Sequence, residues 1–502
     1  MAHLLVQGTL TLLLSGYGYP ERTNGTPKER VVPRKERIKI LLDNALSLFY
    51  IYLNLFLSQF FEMIMKKIIS LIFLVFLVIV DLNPNSSFAQ YRYERFRKDL
   101  KDELSWGFSE RIRWVWFDNA LDLNEKDDDK KHFFRFRTSL WGESKLWKGC
   151  KLFLKFTNEF RRYFKPRVEF SWDEIFVDNL YLEWKQISGT PWSIKIGRQD
   201  LTYGDGLVLM EGDPLDESRS IYFNSVKLTW GDSILGFDFI GIYNTKKDRF
   251  LPLINNKNKK LVEEDEKSWG IFYKREYSKE QRFEAYYIWK REKTKKDSYT
   301  NTYGAMTTGL LAKDFTYTGE LAYQTGKIGE QNRKAYGGEF NLTKSFKSEY
   351  SPKLKSGYIY LSGDDKDTKR FEGWNPLFSR WPKWSELYIY TLIKENEGRV
   401  AYWTNLKSFW FGFSFVFSNK LFLDFKYYNL SVNEKTLYKE DSFISSGEKR
   451  GDLFELKLNL KLNDYISGHL LWEHFKPGSY YFDGADDADF LRCEFFYNFS
   501  SR

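Results

Sequence analysis

The chain has 502 residues, with 77 basic against 68 acidic side chains and a formal net charge of +9. That excess is spread thinly, whereas nucleic-acid recognition requires a clustered basic face, so a nucleic-acid partner is excluded. Two widely separated cysteines, Cys150 and Cys493, exclude a disulfide framework, and four histidines do not assemble a His/Cys zinc pattern, so nothing calls for a metal or another cofactor.

Aromatic residues make up 19% of the chain, yet 29% is charged and the mean hydropathy is −0.52. So many rings beside so many charges imply one greasy face and one wet face along most of the polypeptide.

The first clear signal in chain order is MIMKKIISLIFLVFLVIVDLNPNSSFAQ, residues 63–90. Lys66 and Lys67 precede an uncharged apolar run, and Ser87-Phe88-Ala89 places small residues three and one before Gln90. That is the order of a signal peptide cleaved between Ala89 and Gln90. The run is shorter than the roughly 20 residues a membrane helix needs. A membrane anchor starting near Ile38 is the competing reading, but Asp43, Asn44, Asn54, Gln59 and Glu62 interrupt it. Residues 1–62 are then an upstream extension from a misplaced start, 63–89 the signal peptide and 90–103 a charged leader. Residues 1–89 hold 9 basic and 6 acidic residues, which leaves 68 and 62, a net +6, for the mature part.

From Leu104 onward the dominant pattern is period two, the spacing of a strand with one apolar face. It marks segments at 105–117, 132–146, 149–163, 174–187, 191–199, 219–231, 233–244, 267–277 and 281–291. The series continues at 302–312, 314–326, 334–346, 353–362, 400–417, 418–431, 450–463, 464–476 and 487–499. That is eighteen strands, with sixteen or twenty if a pair is merged or missed. The sharpest case is DLFELKLNLKLN, where Phe454, Leu456, Leu458, Leu460 and Leu462 share one face.

The connections alternate between short turns, such as 147–148, 231–232 and 463–464, and long charged loops, such as 118–131, 245–266, 363–399 and 432–449. A soluble sandwich has no reason to alternate in this way. An outer-membrane barrel does, with tight periplasmic turns, long outer loops, apolar residues toward lipid and polar ones toward the lumen. The fold class is therefore all-β, an antiparallel transmembrane barrel over 104–499 in the outer membrane of a Gram-negative bacterium. The near-terminal Phe499 on an alternating last strand suits engagement by the barrel assembly machinery.

Parity then assigns the lumen. Arg111 and Arg113 oppose Ile112, Trp114 and Trp116, while Arg135 and Arg137 oppose Phe134, Phe136 and Leu140. With Lys155 and Arg161 on the third strand they form a basic ladder, and fixed cations in a low-dielectric tube lower the barrier for an anion. The alternative is that these cations pair with Glu143, Glu159 and Glu183 to hold the wall together. In loop 363–399, Trp374, Trp381 and Trp384 fit a gate folded inward, a lid over the mouth, or an aromatic collar at the outer interface. SELYIYT within it also has strand character. His132, His469 and His474 sit in no nucleophile motif, and no G-x-S-x-G is present, so an enzyme is not expected.

GRQDLTYGDG (197–206), ESRSIYFNSVKL around Arg219, YLSGDD (360–365), NPLFSRWPKWSELYIYT (375–391) and LLWEHFKPGSYY (470–481) resemble the alginate export family of outer-membrane barrels. The resemblance implies an eighteen-stranded monomeric channel that passes an anionic polysaccharide through an arginine-rich constriction. It also nominates Arg198 and Arg219 for that constriction. Parity conflicts for Arg198, which follows the lipid-facing Ile194 and Ile196; a bulge at Gly197 or an earlier strand end would re-aim it. The expected function is passive passage of anionic or sugar-like solutes, including export of a polymer such as alginate. A general porin with structural arginines, a barrel-anchored receptor or adhesin, and a barrel hydrolase are the alternatives.

Overall fold

Alternation of apolar and polar side chains produces long antiparallel strands throughout the computed structural model. It describes residues 104–501 apart from 169–174, 211–222, 252, 255–261, 294–296, 381, 397, 400 and 436–446. The upstream extension, the signal peptide with Ala89 and Gln90, and the 90–103 leader lie outside the described residues.

The strands are β1 (Leu104–Asp118), β2 (Lys131–Trp147), β3 (Cys150–Lys165), β4 (Ile175–Trp184), β5 (Trp192–Gln199), β6 (Phe223–Gly231) and β7 (Leu235–Asn244). After the two-residue β8 (Leu253–Ile254) come β9 (Glu266–Ser278), β10 (Gln281–Glu292), β11 (Ser298–Ala312), β12 (Phe315–Ile328), β13 (Gln331–Ser345) and β14 (Lys353–Leu361). The last five are β15 (Leu406–Ser418), β16 (Leu421–Ser431), β17 (Lys449–Lys461), β18 (Ile466–Pro477) and β19 (Ala488–Ser500).

Every wall strand pairs antiparallel with its neighbours in sequence, and β1 pairs with β19 from Gly107↔Ser500 to Asp118↔Asp489. β8 lies outside this cycle and pairs only with the start of β4, so the wall is a closed barrel of eighteen strands. Closure matters because an unpaired backbone edge in hydrocarbon costs several kcal/mol per group. At the seam Trp106 packs against Phe499 at 5.3 Å, and the Trp106 amide donates to Ser501 Oγ.

Side-chain burial inverts the rule for soluble proteins. On β12, Leu321 is 73% exposed while its neighbours Glu320 and Ala322 are 0% and 7% exposed. Outward rings stack across strands, as in Phe136 on Phe160 at 4.7 Å and Phe413 on Phe425 at 4.9 Å. Such cross-strand aromatic pairs add about 0.2–1 kcal/mol each.

Segment 385–391 is not a strand. It leads into helix α1 (Tyr388–Glu395), the one α-helix among the described residues. Aromatic and β-branched residues give it strand propensity, which spans only about 1 kcal/mol and yields to tertiary packing.

Candidate functional site

Along β1 and β2 the register sets Arg111 opposite Arg137 and Arg113 opposite Arg135, and β3 adds Arg161 opposite Arg135. Like charges facing each other across strands are destabilising unless acids intervene. Here Glu159 pairs with Arg135 and with Arg137 Nη1 at 2.7 Å, and Asp178 accepts from Arg137 Nη2 at 2.9 Å and lies 3.5 Å from Lys155 Nζ. Glu494 on β19 pairs with Arg113. Arg161 lies over Phe133 at 5.4 Å and donates to Tyr163. These three carboxylates thus brace four of the sector's six basic side chains, and the basic groups outnumber them.

Below the ladder lies a cavity of about 580 Å³ reaching the 461–466 turn, with Arg111, Arg137, Lys155, Lys457, Lys461 and His469 in its lining. His469 is buried, accepts from Arg492 Nε at 2.9 Å and sits 3.5 Å from Glu494. His474 contacts Asp489 at 3.1 Å, and His132 accepts from Trp114 at 2.6 Å.

Two outer loops fold into the barrel and meet. Residues 200–210 and 375–380 join through a parallel bridge between Leu209 and Phe378, with the Phe378 amide donating to the Val208 carbonyl. Trp374, 1% exposed, enters the core they share with wall residues. Gly337 makes room for it, since a Cβ there would sit 2.7 Å from the indole ring. Trp384 packs edge-on to Trp403 at 5.0 Å, so both described tryptophans named from sequence point inward; Trp381 is outside the described residues.

Irregular backbone at membrane depth must find hydrogen bonds inside the protein. Inward-facing wall side chains supply them. Glu284 accepts from the Gly204 amide and Glu320 from the Asp205 amide, both at 3.2 Å. Gly204 holds φ +61°, the conformation the TYGDG turn needs to aim that amide. Lys290, ion-paired with Glu266 and Glu292 at 2.8 Å each, donates to the Leu377 carbonyl at 2.8 Å. Gln324 makes a two-way bond with the Asn375 backbone at 2.7 and 2.9 Å.

α1 is held from the other side. Glu473 accepts from the amides of Glu386 and Leu387 at 2.9 and 3.0 Å and from Ser385 Oγ. Arg492 pairs with Glu386, and Arg450 pairs with Glu395 at 2.7 Å while donating to Tyr388. Tyr390 stacks on Phe117 at 4.4 Å within electrostatic reach of Arg161 and Arg135, and burial pushes its phenol up to about 12. Tyr390 therefore meets the basic wall as a neutral phenol.

These features, a closed eighteen-stranded wall, a cationic sector and inward outer loops, belong to a channel-type barrel. The alginate export family profile matches residues 103–490.

The chain belongs to the alginate export family.

No curated protein matches it. Among solved structures it is similar to OpdQ of Pseudomonas aeruginosa, at 12% identity and TM-score 0.52, covering 80% of this chain and 99% of that one. A BenF-like porin from Pseudomonas fluorescens Pf-5 shows 11% identity, TM-score 0.52 and coverage of 79% and 98%. OccK2 (OpdF) of Pseudomonas aeruginosa shows 12%, 0.51, 80% and 98%. At these identities the likeness is one of fold, a porin-type barrel of the outer membrane.

Within this alginate export family member the structure brings Arg111, Arg113, Arg135, Arg137, Lys155 and Arg161 into one sector. Arg198 is elsewhere: pairing continues without a register shift through Gln199, and its guanidinium meets Asp248 at 2.8 Å, the Val177 carbonyl and Asn224. It anchors loop 245–265 and does not line the basic cavity. Arg219 lies outside the described residues. Sequence reasoning missed Lys290, Glu320 and Glu473. Their inward parity was readable, but not that they would meet loop backbone rather than water.

Proposed function

We propose that this barrel passes small anionic, sugar-like solutes, with the β1–β3 basic sector as the anion path and no energy source of its own. The observation that carries this reading is the opposed register of Arg111–Arg137 and Arg113–Arg135 beside α1, above a cavity lined by further cations. An anion between ladder and helix meets planar guanidinium forks suited to carboxylates, in a space where water screens poorly. Passage of a polymer such as alginate requires α1 and segment 375–380 to move aside, because both lie in the barrel interior. The monomer is the working unit, since wall and path belong to one chain.

A second reading, a general porin with structural arginines, is favoured by the ion pairs of Arg113, Arg135 and Arg137. Reversal potentials in planar bilayers under a KCl gradient separate the two. Chloride preference that disappears on combined Arg135→Gln and Arg137→Gln supports the anion path, whereas a non-selective or cation-selective wild type defeats it.

A further inference from the structure

The outward face of the wall is a coat of rings on β15, where phenylalanines from Phe409 to Phe417 take every second position. On β11–β13 that coat is interrupted. Ala305, Leu321 and Gly338 stand in one register row, and two residues nearer the short turns Gly319 stands opposite Phe340. The small side chains leave an outward depression of about 580 Å³, rimmed by Tyr303, Tyr323 and Tyr336 on the loop side and by Phe340 and Tyr358 on the turn side. The three tyrosines again share one register row, and the rings of Tyr323 and Tyr336 lie 5.0 Å apart. An aromatic girdle accounts for the rings but not for the hollow beside them.

Two lysines stand on the same outward parity above the tyrosine row. Lys334 holds its Nζ 5.9 Å from the Tyr336 ring, and Lys327 is exposed. Lys327 is paired with Asn332 and Lys334 with Thr325, so the lysines are diagonal neighbours, roughly 7–8 Å apart along the backbone surface. Neither forms an ion pair among the described residues, although Glu330 lies on the turn between their strands. Arg291, further along this rim, is by contrast already paired with Asp297 at 2.7 Å. Asn301, Thr325 and Asn332 put neutral hydrogen-bonding groups between the cations.

The depression faces hydrocarbon, so an acyl chain fills it. Leu321 and Lys327 are six residues apart on β12. That is roughly 20 Å along the strand and about 15 Å along the membrane normal at the usual tilt, the reach of an extended chain of about a dozen carbons. Lysine stems lie along apolar surface and lift their charge to the headgroup level. We infer that the β11–β13 face is a docking site for a phosphorylated glycolipid of the outer leaflet, with one acyl chain in the depression and phosphate on Lys327 and Lys334. The amides and hydroxyl between the lysines suit a headgroup built of sugar, which a simple glycerol phosphate lacks.

The test is native mass spectrometry of the purified, delipidated barrel with three probes: diphosphoryl lipid A, the same lipid A dephosphorylated, and phosphatidylglycerol. One copy of diphosphoryl lipid A is expected to bind at about a tenfold lower concentration than either of the others. Combined Lys327→Gln and Lys334→Gln removes that advantage and leaves the dephosphorylated probe unchanged. Ala305→Trp, which fills the depression without touching a charge, weakens both forms of lipid A about tenfold. Should these variants fail to assemble, the wild-type comparison and single Lys327→Gln at its exposed position still decide. Equal binding of the phosphorylated and dephosphorylated forms, phosphatidylglycerol binding as tightly as lipid A, or the same loss from Lys461→Gln at the opposite end of the wall overturns the site.

Discussion

The β1–β3 wall and the β10–β13 wall are built from the same alternating pattern, yet they use their inward charges in opposite ways. On β1–β3 the charged inward residues are mostly cations, facing each other across strands and braced by Glu159, Asp178 and Glu494. On β10–β13 acids such as Glu284, Glu320 and Glu339 sit among Lys290, Arg333 and uncharged residues, and Glu284, Glu320 and Gln324 bond to the backbone of two inward loops. On the anion-path reading proposed above, the first wall keeps a charge for solute, while the second consumes its polarity in holding loops that narrow the lumen. The contrast shows that an inward polar residue has two possible partners, water or protein. Which one it meets depends on the loop that reaches it.

The comparison is broken most severely at Lys290, where Lys290→Met leaves Glu266 and Glu292 buried without their cation. Loss of one partner from a buried pair costs about 3–5 kcal/mol. Heat-modifiability on gels is expected to show unfolding at lower temperature, and an unshifted transition defeats the view that this wall is structural. Next, Glu473→Ala removes the acceptor for two amides and a hydroxyl at the start of α1, about 3 kcal/mol of loop docking. Single-channel recordings should then show larger or more frequently fluctuating conductance; steady wild-type conductance means α1 does not obstruct the path.

Acting on the other wall, combined Arg135→Gln and Arg137→Gln should lower the chloride-to-potassium permeability ratio about tenfold while the barrel still assembles. Assembly that fails as badly as in Lys290→Met erases the distinction between the walls. The smallest effect belongs to Asp464→Asn at the periplasmic turn, where the side chains of the Lys461–Asp464 pair are 55% and 90% exposed. An exposed pair contributes under about 1 kcal/mol, so stability and selectivity should stay within experimental scatter.

The period-two pattern made most wall strands legible close to their ends, as with 105–117 against Leu104–Asp118 and 353–362 against Lys353–Leu361, although 400–417 begins six residues before Leu406 and 302–312 four after Ser298. Strand count, loop alternation and the inward ladder of Arg111, Arg113, Arg135 and Arg137 all followed from it. Segment 385–391 was not legible as helix, because its alternation of Leu387 and Ile389 with Tyr388 and Tyr390 also suits a strand. Nor could Arg198 be connected to Asp248, which lies fifty positions on in a long loop with no pattern that pairs the two.

By itself the sequence determined for most wall residues which side chains face lipid and which face the lumen, because a pleated strand sends successive residues to opposite faces; Arg198, on the parity of the exposed Ile196 yet buried, is an exception. Only the tertiary structure decided where the outer loops go, and hence which lumen charges meet solute and which meet backbone. The reason is that every amide of an inward loop must find an acceptor inside the barrel. Those acceptors, Glu284, Glu320 and Glu473, come from strands remote in the chain and meet the loops only when the wall closes.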